Sequence, residues 1–405
     1  ELWVSGAKNS ALAALVAAAL GQEPVVLEGV PIVADVAVMV ELLRALGVRV
    51  RVLARGEVEV DGRGLRSHEA PYELVRRMRA SFYVSGLLLG ALGRAVVPLP
   101  GGCALGSRPV DFHLKGFEQL GAQIEIQHGS MFAQAPPEGL RGAVVHLSRP
   151  SVGATIQLMM ASCRARGATV IENAALEPEV VDVANLLNTM GARIRGAGTP
   201  VVQVQGVDEL RGTRYRIIPD RIEAGTWLVA AAATGGEVSV KGALAEHLQL
   251  PLMKLKEAGY RVHATPDAIT LESGGMLRPR PVDLETAPYP GFPTDLQQPF
   301  VALLCRAEGT SVVRETIFER FRYVDELRRM GADIRVERDT AIVRGVPSLS
   351  GARVEATDLR AGAALVIAAL AAEALYGWLW ALVVTAVAGG AVAVPSGEAS
   401  RVNRG

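Results

Sequence analysis

Among its 405 residues the chain has only three cysteines, at 103, 163 and 305. They are too few and too widely spaced for a disulfide framework or a zinc site, and a reducing, cytoplasmic setting fits that usage. It has six histidines, scattered, with no HxxxH pair or His/carboxylate cluster, so no metal or other cofactor is expected. Net charge is absent as well: Lys+Arg and Asp+Glu stand at 42 each, which excludes the broad positive field that would draw nucleic acid or an acidic membrane surface. An anionic ligand must then be held by a local cluster of cations. Lysine is scarce, five against 37 arginines, so each lysine is informative. The first residues, ELWVSGAKNS, lack the basic stretch followed by an apolar run that marks a secretory signal, and read instead as a strand entered midway.

Self-similarity is plentiful. Five segments run from a helix end through glycine into a strand: ELLRALGVRVRV from Glu41, FEQLGAQIEIQ from Phe117, LLNTMGARIRG from Leu186, LMKLKEAGYRVHA from Leu252 and ELRRMGADIRVER from Glu326. Glycine suits the left-handed position that closes a helix, and the alternating residues after it predict a half-buried strand. The pivots Gly47, Gly121, Gly191, Gly259 and Gly331 are separated by 74, 70, 68 and 72 residues, the mark of a duplicated supersecondary unit. That period exceeds those of the familiar solenoids, so each unit holds more than one helix and several strands. Between pivots, polar turns open helices rich in Ala, Leu and Val: SVGATIQLMMASC from Ser151, PDRIEAGTWLVAAAA from Pro219, PTDLQQPFVALLC from Pro293 and ATDLRAGAALVIAAL from Ala356. Helices apolar on nearly every face belong inside, with sheets around them. A sixth pivot, due near residue 400, is missing from PSGEASRVNRG.

One loop, PGGCALGSRPVD from Pro100 to Asp111, sets Cys103 among glycines with Arg108 close by. A lone cysteine is usually a small buried residue. Here the glycines leave the backbone open to a ligand and the arginine favours a thiolate, so a reactive Cys103 stands level with the bland alternative. Lys8, in GAKN, is a long cation between small residues. Asp295 in FPTD and Asp358 in ATDLRAG stand where helices begin and suit N-caps. Cys163 and Cys305 lie in apolar helices and are read as core. His113, alone on a helix, is read as structural.

Seven ordered motifs give the chain a resemblance to the enolpyruvyl transferases: SGAKNSAL (Ser5–Leu12), RMRAS (Arg77–Ser81), PGGCALGSRPVDFHLKG (Pro100–Gly116), PDRIEAGT (Pro219–Thr226), FPTDLQQPF (Phe292–Phe300), ETIFERF (Glu315–Phe321) and ATDLRAG (Ala356–Gly362). The resemblance implies an α/β fold, a two-domain inside-out α/β barrel built from repeated βαβαββ-type units, the sixth incomplete. The first domain would span 8–216 and the second 1–7 plus 217–373, with 374–405 an atypical apolar tail and the site between the domains. It also implies transfer of the enolpyruvyl group of phosphoenolpyruvate to the 3-hydroxyl of UDP-N-acetylglucosamine with release of phosphate, the entry to peptidoglycan synthesis. Both partners are small molecules. A sister branch acting on shikimate 3-phosphate lacks the cysteine-bearing loop, and a catalytically impaired homologue that only binds is a further alternative.

By the same resemblance Cys103 adds to C2 of phosphoenolpyruvate or donates a proton to C3, and is the target of the epoxide fosfomycin. Lys8 stabilises charge in the transition state, Asp295 takes the proton of the sugar hydroxyl, and Asp358 assists the later deprotonation. Arg79, Arg108 and Arg360 join Lys8 in binding the donor. Asn9, Arg108, Pro109, Val110, Asp111, Arg149, Ser151, Val152, Gly153 and Ile317 contact the nucleotide sugar, where Arg149 replaces a common lysine and Phe112 a common leucine. The uncharged run Ala374–Val394 has 21 residues, long enough to span a bilayer. The globular character upstream argues against a span, and the run is read as a divergent or frame-shifted ending that lowers solubility and activity.

Overall fold

A computed structural model describes residues 1–100, 110–356 and 358–372. The loop 101–109, with Cys103, Arg108 and Pro109, and the run after residue 372 lie outside the described residues.

The repeat seen in the sequence becomes a repeated sheet. In each of four sheets a first strand runs parallel to a second, which pairs antiparallel with a third, which pairs antiparallel with a fourth. Their orders are Leu2–Trp3, Glu237–Lys241, Ala268–Glu272, Arg261–Thr265; Arg214–Arg216, Val25–Glu28, Glu57–Asp61, Arg49–Ala54; Val144–His146, Ala168–Glu172, Val201–Gln205, Arg193–Arg195; and Leu284–Glu285, Thr310–Arg314, Thr340–Arg344, Asp333–Glu337. A fifth sheet, Arg94–Pro98, Ser130–Gln134, Gln123–Gln127, has three strands, and a single parallel bridge from Glu69 to Val96 stands where the others carry a first strand. All five pivot glycines have positive φ, from 88° to 106°, which turns each helix end back into the last-listed strand of its sheet.

Inside the sheets lie the Ala-rich helices. Residues 10–18 of the helix Lys8–Ala18, 154–162 of Val152–Ser162 and 296–304 of Thr294–Leu304 are buried without interruption. Small side chains allow this because each such helix is packed by other helices as well as by a sheet. Two separate hydrophobic cores result, one drawn from residues 11–217 and one from 222–371, the latter also covered by Leu2 and Val4. Among the described residues no helix is long and apolar enough to cross a membrane.

Each half completes a sheet with a strand distant in sequence. Leu2–Trp3 pairs with Glu237–Lys241 in the second half, while Arg214–Arg216 pairs with Val25–Glu28 in the first. The chain therefore crosses between halves twice, and the crossings lie side by side: Ala7 N–H donates to Ile218 O at 2.8 Å and Asp220 N–H to Ser5 O at 2.9 Å. Gly6 bridges Pro219 here, and a Cβ on Gly6 would sit 1.8 Å from the carbonyl oxygen of Gly29. Gly6→Ala must displace backbone, so a loss of about 2 kcal/mol or more is expected in urea denaturation. Gly191→Ala, at φ +104° with open space around it, serves as the control at about 1–2 kcal/mol. A smaller loss at Gly6 than at Gly191 would show that the crossing is not tightly packed.

Candidate functional site

The paired crossings deliver Lys8 to the start of a buried helix. Its backbone N–H donates to Asp220 Oδ2 at 3.0 Å, and its Nζ donates to Asp35 Oδ2 at 2.9 Å. Asp220 also caps the helix Arg221–Ala233 through the N–H groups of Ile222 and Glu223, so one carboxylate ties the first helix of one half to that of the other. Asn9, next along, is exposed.

In the second half Asp295 is the centre of the arrangement. Its Oδ1 accepts from Arg320 Nη1 at 2.6 Å and its Oδ2 from Arg360 Nη2 at 3.0 Å. Burial alone would raise the Asp295 carboxyl, but the charges of Arg360, Arg320 and Lys8 outweigh it and hold the group well below the usual carboxylate range. The cap expected of Asp295 is not made: Pro293 takes the N-cap position, no side chain caps the helix, and the aspartate, second residue of the first turn, is left to the arginines. Asp358 is a cap, accepting from the N–H groups of Arg360 and Ala361, and its Oδ2 accepts from Gln298 Nε2 at 3.1 Å. Arg360 is thus fixed at the first turn of its helix, facing the residue it pairs with.

Arg320 and Glu315 escaped the sequence reading, although the quoted ETIFERF contains both. The Arg320 side chain is 6% exposed, also reaches Thr294 Oγ1 at 3.2 Å, and lies over the Phe318 ring. Buried Glu315 accepts from Thr286 Oγ1, Thr294 Oγ1 and the N–H groups of Ile317 and Phe318. It therefore sets Ile317 and fastens this loop to the start of the Asp295 helix. Asp35 and Asp220 were also missed, because nothing in local sequence reports a partner 27 or 212 residues away.

The first half contributes the helix starts Asp111–Gln119 and Val152–Ser162. Val110 precedes the former; Asp111 opens it, with Oδ1 buried and unpartnered among the described residues. Ser151 caps the latter through the Ala154 N–H, and Val152 and Gly153 form its first turn. Arg149 lies 5.2 Å from the Phe112 ring centroid, so the two substituted positions face one another. Arg79 begins the short turn Arg79–Tyr83, and its charge reaches His113. Cys163 and Cys305 are buried and burial pushes both thiols up to about 12, which leaves them inert core residues.

His113 is buried edge-on to Phe82 with centroids 5.4 Å apart. Burial first, then the Arg79 charge, pushes its imidazole down to about 4, against opposing effects of Gln157 and Asp111. A histidine kept neutral in the fold but protonated in the unfolded chain costs stability as pH falls from its ordinary 6.5 to about 4. Unfolding free energy is expected to drop through that window, with His113 supplying up to about 3 kcal/mol of the decline. His113→Gln should flatten the profile when stability is measured by urea denaturation at stepped pH; an unchanged slope would refute the assignment.

Comparison with known proteins places this geometry. The model of the EPSP synthase (3-phosphoshikimate 1-carboxyvinyltransferase) family matches residues 1–386. UDP-N-acetylglucosamine 1-carboxyvinyltransferase 3 of Caldanaerobacter subterraneus subsp. tengcongensis is 52% identical over 373 residues, 92% of this chain and 88% of that protein. UDP-N-acetylglucosamine 1-carboxyvinyltransferase 2 of Carboxydothermus hydrogenoformans is 54% identical over 373 residues, covering 91% and 88%. Among solved structures, the enolpyruvyl transferase NikO from Streptomyces tendae superposes with a TM-score of 0.80 at 27% identity, covering 92% of this chain and 88% of that one. An EPSP synthase from Acinetobacter baumannii, at 20% identity and a TM-score of 0.68 over 92% and 89%, shares the fold. With the repeated sheets, the enclosed helices and a family match over nearly the whole chain, the protein belongs to the EPSP synthase family of enolpyruvyl transferases.

Proposed function

We propose that this chain transfers the enolpyruvyl group of phosphoenolpyruvate to the 3-hydroxyl of UDP-N-acetylglucosamine and releases phosphate, in the cytoplasm, as the first committed step of peptidoglycan synthesis. The observation that carries the reading is the cationic surround of one carboxylate: Arg320, Arg360 and Lys8 all act on Asp295. Relatives above 50% identity that are named for this reaction support the choice of acceptor.

Phosphoenolpyruvate brings a phosphate and a carboxylate on the same carbon, C2, and arginine forks suit both. Arg79, Arg108, Arg360 and Lys8 bind it in this reading. Asn9, Val110, Asp111, Arg149, Ser151, Val152, Gly153 and Ile317 hold the nucleotide sugar together with Arg108 and Pro109. Arg360 is engaged by Asp295 at 3.0 Å. An anionic donor competes for that guanidinium, and its negative charge makes Asp295 a stronger base at the moment both substrates are present.

Asp295 then removes the proton of the sugar 3-hydroxyl, whose oxygen adds to C2 of the donor while C3 gains a proton. Cys103 is the donor of that proton or the group that adds transiently to C2. In the second stage C3 loses a proton, with Asp358 assisting, and the C2–O bond to phosphate breaks, leaving the enol ether. Lys8 balances charge that builds between the two stages.

Phosphate release should require both phosphoenolpyruvate and UDP-N-acetylglucosamine, and shikimate 3-phosphate should not replace the sugar. Asp295→Asn should lower kcat by about 100- to 10,000-fold with a smaller change in KM. Full turnover with Asp295→Asn, or turnover with shikimate 3-phosphate alone as acceptor, would overturn the reading. Fosfomycin should alkylate Cys103. Peptide mass spectrometry that finds the label on Cys163 or Cys305 instead would refute the role of the loop.

A further inference from the structure

Arg221 follows Asp220, the residue at which the chain has just crossed into the second half. Its Nε donates to Glu179 Oε1 at 3.0 Å and its Nη2 to Oε2 at 3.3 Å, a two-pronged pair whose side chains are 10% and 6% exposed. Glu179 stands in the first turn of Pro178–Thr189, a helix of the first core, whereas Arg221 opens a helix of the second. Tyr289, also of the second half, places its ring 5.6 Å from the guanidinium. The Tyr289 hydroxyl is anchored in turn to the Glu246 carbonyl at 3.1 Å.

Both charges are dry, so neither tolerates loss of its partner easily. Their position matters equally. A group one residue from the crossing, about 3.8 Å along the chain, moves little when the halves rotate about that crossing, and the charge of Asp295 reaches Arg221, so the pair adjoins the ionic cluster of the second half. A pair so placed can persist as the halves rotate.

We propose that Glu179 and Arg221 are positioning residues whose buried ion pair is the pivot that sets how the second half swings against the first around the substrates. The inference rests on the reaction given under Proposed function, with its site between the two halves. It assigns the two residues no contact with substrate; they act through the relative placement of Lys8 and the sugar-facing helix starts on one side and Asp295 and Arg360 on the other.

The test uses the full chain, as wild type, Glu179→Gln, Arg221→Lys and the double variant Glu179→Arg/Arg221→Glu. Circular dichroism checks the fold, small-angle scattering with and without UDP-N-acetylglucosamine reads closure, and steady-state kinetics read KM and kcat. Both single variants should remain folded, show less compaction on adding the nucleotide sugar, and raise its KM about tenfold while kcat changes less than about threefold. The reversed pair should recover part of the compaction and of the KM. Unchanged compaction and KM in both single variants would overturn the proposal, as would variants that simply fail to fold. Absence of compaction and of phosphate release in the wild type would instead count against the functional reading, so the two failures are distinguishable.

Discussion

The two-fold crossing of the backbone is the constraint from which the rest of the molecule follows. Each core needs a strand that the local chain does not supply, and the exchange of Leu2–Trp3 for Arg214–Arg216 meets both needs at once. Because the two crossings must run through the same narrow place, they pair with one another, and only a residue without a Cβ fits opposite Gly29. Lys8 and Arg221 are then forced to the same spot from opposite directions, each opening the first buried helix of its half. The placement of Lys8 and the interhalf ion pair are consequences of one backbone arrangement.

Charge is handled locally throughout. The chain is neutral overall, yet Asp295 sits among Arg320, Arg360 and Lys8, so a cationic site exists without a cationic protein. Holding these groups together in a partly dry place requires that they neutralise one another. Glu315 shows how much support this takes: a single buried carboxylate binds two threonine hydroxyls and two backbone N–H groups merely to keep the Ile317 loop against the helix that bears Asp295. The outward faces of the sheets carry pairs of the ordinary solvated kind, such as Arg51 with Glu59 and Arg261 with Glu272, which add little to stability.

Much of this was legible in the residue order, because repeats and periodicities are local properties. The five glycine pivots, the helices apolar on every face and the alternating strands after each pivot follow from backbone stereochemistry and from burial, both readable within a dozen residues. Asp358 could be recognised as a cap for the same reason, since its partners lie two and three residues on. The seven motifs identified the family and with it the loop of Cys103, which lies outside the described residues.

Tertiary structure alone decided which charges meet. Asp295 reads as a cap in the sequence, and only the approach of Arg320 and Arg360, 25 and 65 residues away, turns it into the centre of an ionic cluster. Likewise nothing near Glu179 reports Arg221, 42 residues on, or near Lys8 reports Asp35 and Asp220. The sequence by itself determined the units, their number among the described residues and the chemistry available to them. The choice of partners depended on how the units pack, because a salt bridge or a hydrogen bond is set by separation in space, and distant separations are established only when the whole chain has closed on itself.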